Sequence, residues 1–179
     1  IADQTKAENY VQEMSKELRY TLQCSDVVTL EEEMQIVNSY CTLVQLRYGS
    51  NLRFDFDIDE RLMRCKLIPL SLQILIENAI KYNVEGGWVK LSLNADHKYF
   101  YLRVADSGIG IPQEEQEHVF DRFYRVDKGR SREMGGTRLG LSISSHIVKA
   151  HNGNLFTTTR QDKKSGAVFV IELPVVAFN

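Results

Sequence analysis

The stretch Lys98-Tyr99-Phe100-Tyr101-Leu102-Arg103-Val104-Ala105-Asp106-Ser107-Gly108-Ile109-Gly110-Ile111-Pro112 decides the fold. Phe100, Leu102 and Val104 recur at every second position, the period of a strand with one buried face. The alternation stops at Asp106, where two glycines and a proline break it. Working upstream, residues of about 87–95 read as a second strand, with Asn94-Ala95-Asp96 as the turn of a hairpin. Further back, Leu52, Phe54, Phe56 and Ile58 alternate with Arg53, Asp55, Asp57 and Asp59, a third half-buried strand. Between them Pro69 suits the first turn of a helix running to about Asn83, with Leu72, Leu75, Ile76, Ala79 and Ile80 on its buried face. Downstream come a short helix near 113–119, a polar stretch to Gly136, and a helix from about Leu139 to Ala150 stopped by His151-Asn152-Gly153. Strands near 154–160 and 167–173 complete the order. Strands mixed with helices but not strictly alternating predict an α+β fold, one sheet with helices on one face.

Two amphipathic helices precede this unit. Ala7, Val11, Met14, Leu18 and Leu22 form one stripe. Thr29 can cap a second helix while Glu32 reaches back, as in a capping box. Leu30, Met34, Val37, Cys41, Val44 and Tyr48 then follow a four-three alternation, the seam of a helix packed on another helix. A hairpin covering the core and a dimer stem both fit that seam. The expected division is a helical segment over 1–49 and a second domain over 50–179.

Composition narrows the function classes. The chain has 179 residues, 43% of them hydrophobic and 26% charged, which fits a soluble domain and excludes a disordered one. No run approaches the roughly 18 apolar residues of a membrane span. A formal charge of −2 gives no general pull toward nucleic acid or anionic lipid. Cys24, Cys41 and Cys65 have neither disulfide-framework nor zinc spacing, so a reducing cytosol is expected. An opening Ile in place of Met leads to the expectation of a piece of a longer protein.

Four short segments could carry chemistry. On the helix over 70–83, Asn78, Lys81 and Tyr82 lie at spacings that share one side, next to Glu77. An amide oxygen, an ammonium and a ring there could seat a metal-bound polyphosphate. At the end of the strand, the Asp106 carboxylate could accept an exocyclic amine, and Gly108 and Gly110 let a ligand approach the backbone. The Gly-x-Gly-x-x-Gly order of a dinucleotide fingerprint is absent. Phe120-Asp121-Arg122-Phe123-Tyr124-Arg125 opens a polar segment in which, from Asp121 to Arg138, six basic residues face three acidic ones. That excess locates an anion. Gly135-Gly136-Thr137-Arg138-Leu139-Gly140-Leu141 opens a helix, whose unpaired amides bind phosphate without a dedicated lysine.

In this order and spacing the four segments resemble the N, G1, F and G2 boxes of the nucleotide-binding domain of bacterial sensor histidine kinases, within the GHKL (Bergerat-fold) ATPase superfamily. The resemblance covers about residues 50–174, and the helices over 7–48 look like the end of a dimerisation region. It implies a two-layer α/β sandwich and an ATP site under a lid. Glu77, Asn78 and Lys81 would form the catalytic set, with Asn78 on Mg²⁺ and Lys81 and Tyr82 on phosphate and nucleotide. Asp106 would accept the adenine amine, with Gly108, Gly110 and Ile111 beside the base. Tyr124 and Arg125 would reach the nucleotide from the lid, and the loop of Gly135, Gly136, Thr137, Arg138, Leu139, Gly140 and Leu141 would hold the phosphates. The implied partners are the protein's own phosphoacceptor region, in a homodimer, and a response regulator. No nucleic acid or membrane contact by this chain is implied, and the parent is expected in the cytoplasm, with or without an inner-membrane anchor.

None of His97, His118, His146 and His151 has a phosphoacceptor setting, so the acceptor is expected upstream of Ile1. Arg138 stands where the family has a glycine, Ile74 stands where many members have a polar residue, and Ala167-Val168-Phe169 lacks the family's hydroxyls. Those departures keep open a nucleotide-binding signalling module with little turnover. A DNA-linked ATPase clamp is a third class, against which Phe120-Asp121-Arg122-Phe123-Tyr124-Arg125 argues.

Overall fold

The structure, a computed structural model, describes residues 27–48, 51–67, 69–124, 140–160 and 165–175. The helix expected over 7–22 and most of the lid lie outside these residues. The elements are β1 (Val28–Thr29), α1 (Leu30–Tyr48), β2 (Arg53–Ile58), β3 (Lys66–Leu67), α2 (Ser71–Lys81), β4 (Trp88–Ala95), β5 (Tyr99–Asp106), α3 (Gly140–Ala150), β6 (Asn154–Thr159) and β7 (Ala167–Pro174). Five strands make one sheet in the order β2-β4-β5-β7-β6, and β1 and β3 form a separate two-stranded bridge. Among the described residues only β2 and β4 pair in parallel, with α2 in the connection between them; the other neighbours in this sheet are antiparallel.

Period two is visible in the packing. Val89, Leu91, Leu93, Leu102, Val104, Phe169, Ile171 and Leu173 face the helices and share one core with Leu72, Leu75, Ile76 and Ala79 of α2 and Val148 of α3. Full burial of such a side chain is worth about 1.5–3 kcal/mol. The opposite sheet face is mixed. Lys90 sits between Asp55 and Asp57 at 3.2 and 3.6 Å, and the Arg160 guanidinium lies 4.6 Å from the centre of the Trp88 ring. The α+β sheet with helices on one face therefore stands as read.

The seam of α1 enters this same core. Leu30, Met34, Val37 and Cys41 are buried with the residues of α2 and the sheet, so this part of the seam covers the core. Burial pushes the Cys41 thiol up to about 12, which leaves it unreactive. The capping box at its start forms as expected: Glu32 N–H donates to Thr29 Oγ1 at 3.2 Å and Thr29 N–H to Glu32 Oε2 at 2.7 Å.

Two boundaries differ from the sequence reading. Pro69 does not open α2, because Leu70 adopts φ 64 and the helix begins at Ser71. A left-handed non-glycine residue costs about 1–2 kcal/mol, and a distant side chain holds it there. The short helix expected over 113–119 is two 3₁₀ turns, Gln113–Glu115 and His118–Phe120. No helix among the described residues is long and apolar enough to cross a membrane.

Candidate active site

Asp106 is the last residue of β5 and is 4% exposed. Its Oδ1 accepts from Gly108 N–H at 2.8 Å and from Ala167 N–H at 3.1 Å. Burial pushes this carboxyl above the usual aspartate range, and the two amides and the Arg160 charge oppose that shift. With Oδ1 committed, Oδ2 is the acceptor left for a ligand.

The glycines beside it are placed by close approach. A Cβ on Gly108 would stand 2.2 Å from the Tyr82 carbonyl oxygen and 2.9 Å from Asp106 Oδ1. Ile109 N–H donates to that same carbonyl at 3.1 Å, tying the loop to the end of α2. On the other side Gly166, at φ +120, leaves no room for a side chain: a Cβ would lie 2.0 Å from the Asp106 carbonyl oxygen. The Ser165 hydroxyl donates to the Gly108 carbonyl. Sequence reading missed Arg160, Ser165 and Gly166. The Ser-Gly pair before a final strand was the only available signal.

On α2, Asn78 Nδ2 donates to the Ile74 carbonyl at 2.7 Å, and its oxygen is the acceptor of that amide. Lys81 Nζ lies 5.5 Å from the Tyr82 ring centre, and Tyr82 is exposed. Glu77 is engaged by its neighbour Gln73, whose Nε2 donates to Oε1 at 2.9 Å. The start of α3 meets α2 one turn before Asn78: a Cβ on Gly140 would stand 3.2 Å from Ile74 Cγ2. Ile74 and Asn78 share one helix face, so that contact brings the first turn of α3 to the Asn78 side. Leu141 and Ile111 pack against the core. Arg125, Gly135, Gly136, Thr137, Arg138 and Leu139 lie outside the described residues.

Tyr124 is held within its own segment. Its hydroxyl donates to the Glu115 carboxylate and its ring lies 5.4 Å from that of His118, which pairs with Asp121 at 3.0 Å. His146 and His151 bond the carbonyls of Ser142 and Ile147 one helical turn back. These contacts are structural.

The donor set suits a purine nucleotide. A buried carboxylate with one oxygen fixed and a backbone cradle that any Cβ would fill have the chemistry to take a base, and a helix start near an amide oxygen has the chemistry to take phosphate. No group of three His, Cys, Asp or Glu among the described residues could hold a metal ion. A cation here would take the Asn78 oxygen and complete its shell with phosphate and water, as Mg²⁺ prefers.

Residues 68–177 match the model of the histidine kinase-, DNA gyrase B- and HSP90-like ATPases, and residues 1–52 match a histidine kinase model. The chain belongs to this ATPase family, and over these residues it carries the ATP-binding domain found in sensor histidine kinases. It is 45% identical over 106 residues to the sensor histidine kinase WalK of Bacillus subtilis, covering 58% of this chain and 17% of that protein. It is 37% identical over 135 residues to the signal transduction histidine-protein kinase ArlS of Staphylococcus aureus, covering 73% of this chain and 30% of that one. Among solved structures it resembles the histidine kinase ThkA in complex with the response regulator protein TrrA, with TM-score 0.64 and 25% identity over 98% of this chain and 49% of ThkA. The chain thus spans less than a third of either curated relative.

Proposed function

We propose that this domain presents the γ-phosphoryl group of ATP to a histidine nitrogen on a helix upstream of Ile1, for relay to a response-regulator aspartate. Asp106 Oδ2 would accept the adenine amine, Asn78 would hold Mg²⁺ through its amide oxygen, and Lys81 and Tyr82 would contact the nucleotide. The loop from Gly135 to Leu141 and the first turn of α3 hold the phosphates. Mg²⁺ supplies charge neutralisation when bound. Transfer of a phosphoryl group asks mainly for positioning and electrostatic stabilisation, which amides, a lysine and a helix start provide. The phosphoryl leaves ADP as its P–O bond breaks and a P–N bond forms on the histidine.

The observation that carries this reading is the buried Asp106, with one oxygen fixed by two amides beside a glycine cradle. Similarity to ThkA, solved with a response regulator, supports such a partner here, and the upstream histidine kinase match supports action within a homodimer.

Calorimetric titration with a non-hydrolysable ATP analogue tests the site. Binding is expected to be micromolar and to need Mg²⁺, and Asn78→Asp or Asp106→Asn is expected to weaken it at least about tenfold, about 1.4 kcal/mol. Unchanged curves for both variants would remove the assignment. Transfer from ATP to a separately supplied upstream helix bearing its histidine then tests the activity.

A further inference from the structure

Helix α2, which carries Asn78, has no cap of its own. Leu70, immediately before it, makes no side-chain cap hydrogen bond. Ser71, a residue type that helices use as an N-cap, is 4% exposed and its hydroxyl has no partner among the described residues. The cap comes instead from another element. Glu33 on α1 is 1% exposed, and its Oε1 accepts from Leu70 N–H at 2.6 Å while Oε2 accepts from Leu72 N–H at 3.2 Å.

One carboxylate therefore straddles the first turn of α2, where unpaired amides and the helix dipole favour negative charge. It also holds Leu70 in the left-handed region, a conformation that leucine does not choose unaided. The start of α1 is also tied by backbone to the segment that leads into β3, upstream of α2. Leu30 N–H donates to the Cys65 carbonyl at 2.8 Å and Glu31 N–H to that of Met63 at 3.0 Å, next to the β1–β3 bridge. A serine cap would have made α2 independent of α1. The borrowed cap makes the start of α2 follow α1.

We propose that Glu33 is a positioning residue for nucleotide binding: it fixes the place of α2, and so of Asn78 against the start of α3, by the position of the helical segment upstream. This rests on the reading of Asn78 as the Mg²⁺ side of the site. A helix is stiff over the two turns from Leu70 to Asn78, so a shift at its start is carried to the metal side.

The test is a double-mutant cycle on the 179-residue chain, reading Mg²⁺-dependent affinity for the ATP analogue and the thermal midpoint of the parent, Glu33→Gln, Asn78→Ala and the double variant. Glutamine offers one acceptor and turns its NH₂ toward the second amide, so the straddling cap is lost. Glu33→Gln is expected to weaken Mg²⁺-dependent binding about fivefold or more in the parent and less than about twofold once Asn78 is gone, the signature of two residues acting through one element. Leu70→Gly, which meets φ 64 without strain, is expected to restore part of the loss. Losses of equal size in both backgrounds, or full affinity with only a lowered midpoint, would overturn the proposal in favour of a purely structural cap. Should Glu33→Gln fail to fold, Glu33→Asp keeps the charge and shortens the reach; parent-like affinity in that variant would likewise overturn it. If Asn78→Ala alone changes nothing, the reading of the metal side fails and this proposal falls with it. A loss with Asn78→Ala but none with Glu33→Gln confines the failure to the proposal.

Discussion

The Asp106 carboxylate is buried and spends one oxygen on two amides; in the proposed site it needs its charge to accept the adenine amine through the other. Burial raises its folded pKa. Folding therefore favours its protonated form, a contribution fully present below the ordinary aspartate pKa and lost as pH rises through the raised value. At neutral pH the charge is a cost. Asp106→Asn keeps an oxygen for both amides and removes that charge, so its thermal midpoint at pH 7 is expected to equal or exceed the parent's while nucleotide affinity falls. In the parent, affinity is expected to drop on acidification with a midpoint above the ordinary aspartate range. An isothermal titration series against pH reads this, and a flat profile down to pH ~4 would contradict it. Asp106 was legible as an acceptor only in company with the other three segments, because a carboxylate ending an apolar strand before two glycines also suits an ordinary strand-to-helix turn. Glu33 was not, because its partners are 37 and 39 residues away and nothing in a helix pattern marks a buried acid as a cap for another helix. Tyr124 was named from its residue type and place in the segment, which do not disclose that its hydroxyl bonds Glu115.

Helix starts were unevenly legible at the scale of elements. The start of α1 follows from Thr29 and Glu32, three residues apart, and both reciprocal bonds form. Those bonds hold the Glu32 carboxyl below its usual range, so its support for α1 is present above the ordinary glutamate pKa and fades as pH falls through the lowered value. Thr29→Ala is expected to cost about 1 kcal/mol, lowering the thermal midpoint by about 2–4 °C in a chain of this size. Calorimetry at neutral pH would read it, and no shift would mean the β1–β3 bridge alone sets the helix start. The start of α2 was misplaced because Pro69 carries a helix-start preference that Glu33 overrides from outside. Propensity describes a segment in isolation; a cap delivered by another element does not enter it.

Periodicity in the whole molecule disclosed which faces are buried but not which strands are neighbours. Nothing in Leu52, Phe54, Phe56 and Ile58 says that β2 joins β4 in parallel at the sheet's edge, since alternation is the same in either direction. The same limit applies to the seam of α1, whose spacing suits any apolar surface and whose partner is the core of the sheet. Leu30, Met34, Val37 and Cys41 each contribute about the burial energy of a core side chain, and together they rival the 5–15 kcal/mol that keeps a domain folded. A chain cut to begin at residue 50 is therefore expected to lose its cooperative thermal transition and expose the surface of α2. Intact cooperative unfolding with unchanged nucleotide binding would show that the sheet layer stands alone.

One consequence of the open sheet face concerns how the molecule can be watched. The sequence contains a single tryptophan; the backbone N–H of Trp88 donates to the Ser107 hydroxyl at 2.8 Å, and Arg160 is stacked on its ring. Indole fluorescence thus originates wholly from the corner next to Asp106. Its yield and wavelength report on the strand end beside Asp106 without any attached dye, so unfolding of that strand end can be followed in real time on the unmodified chain.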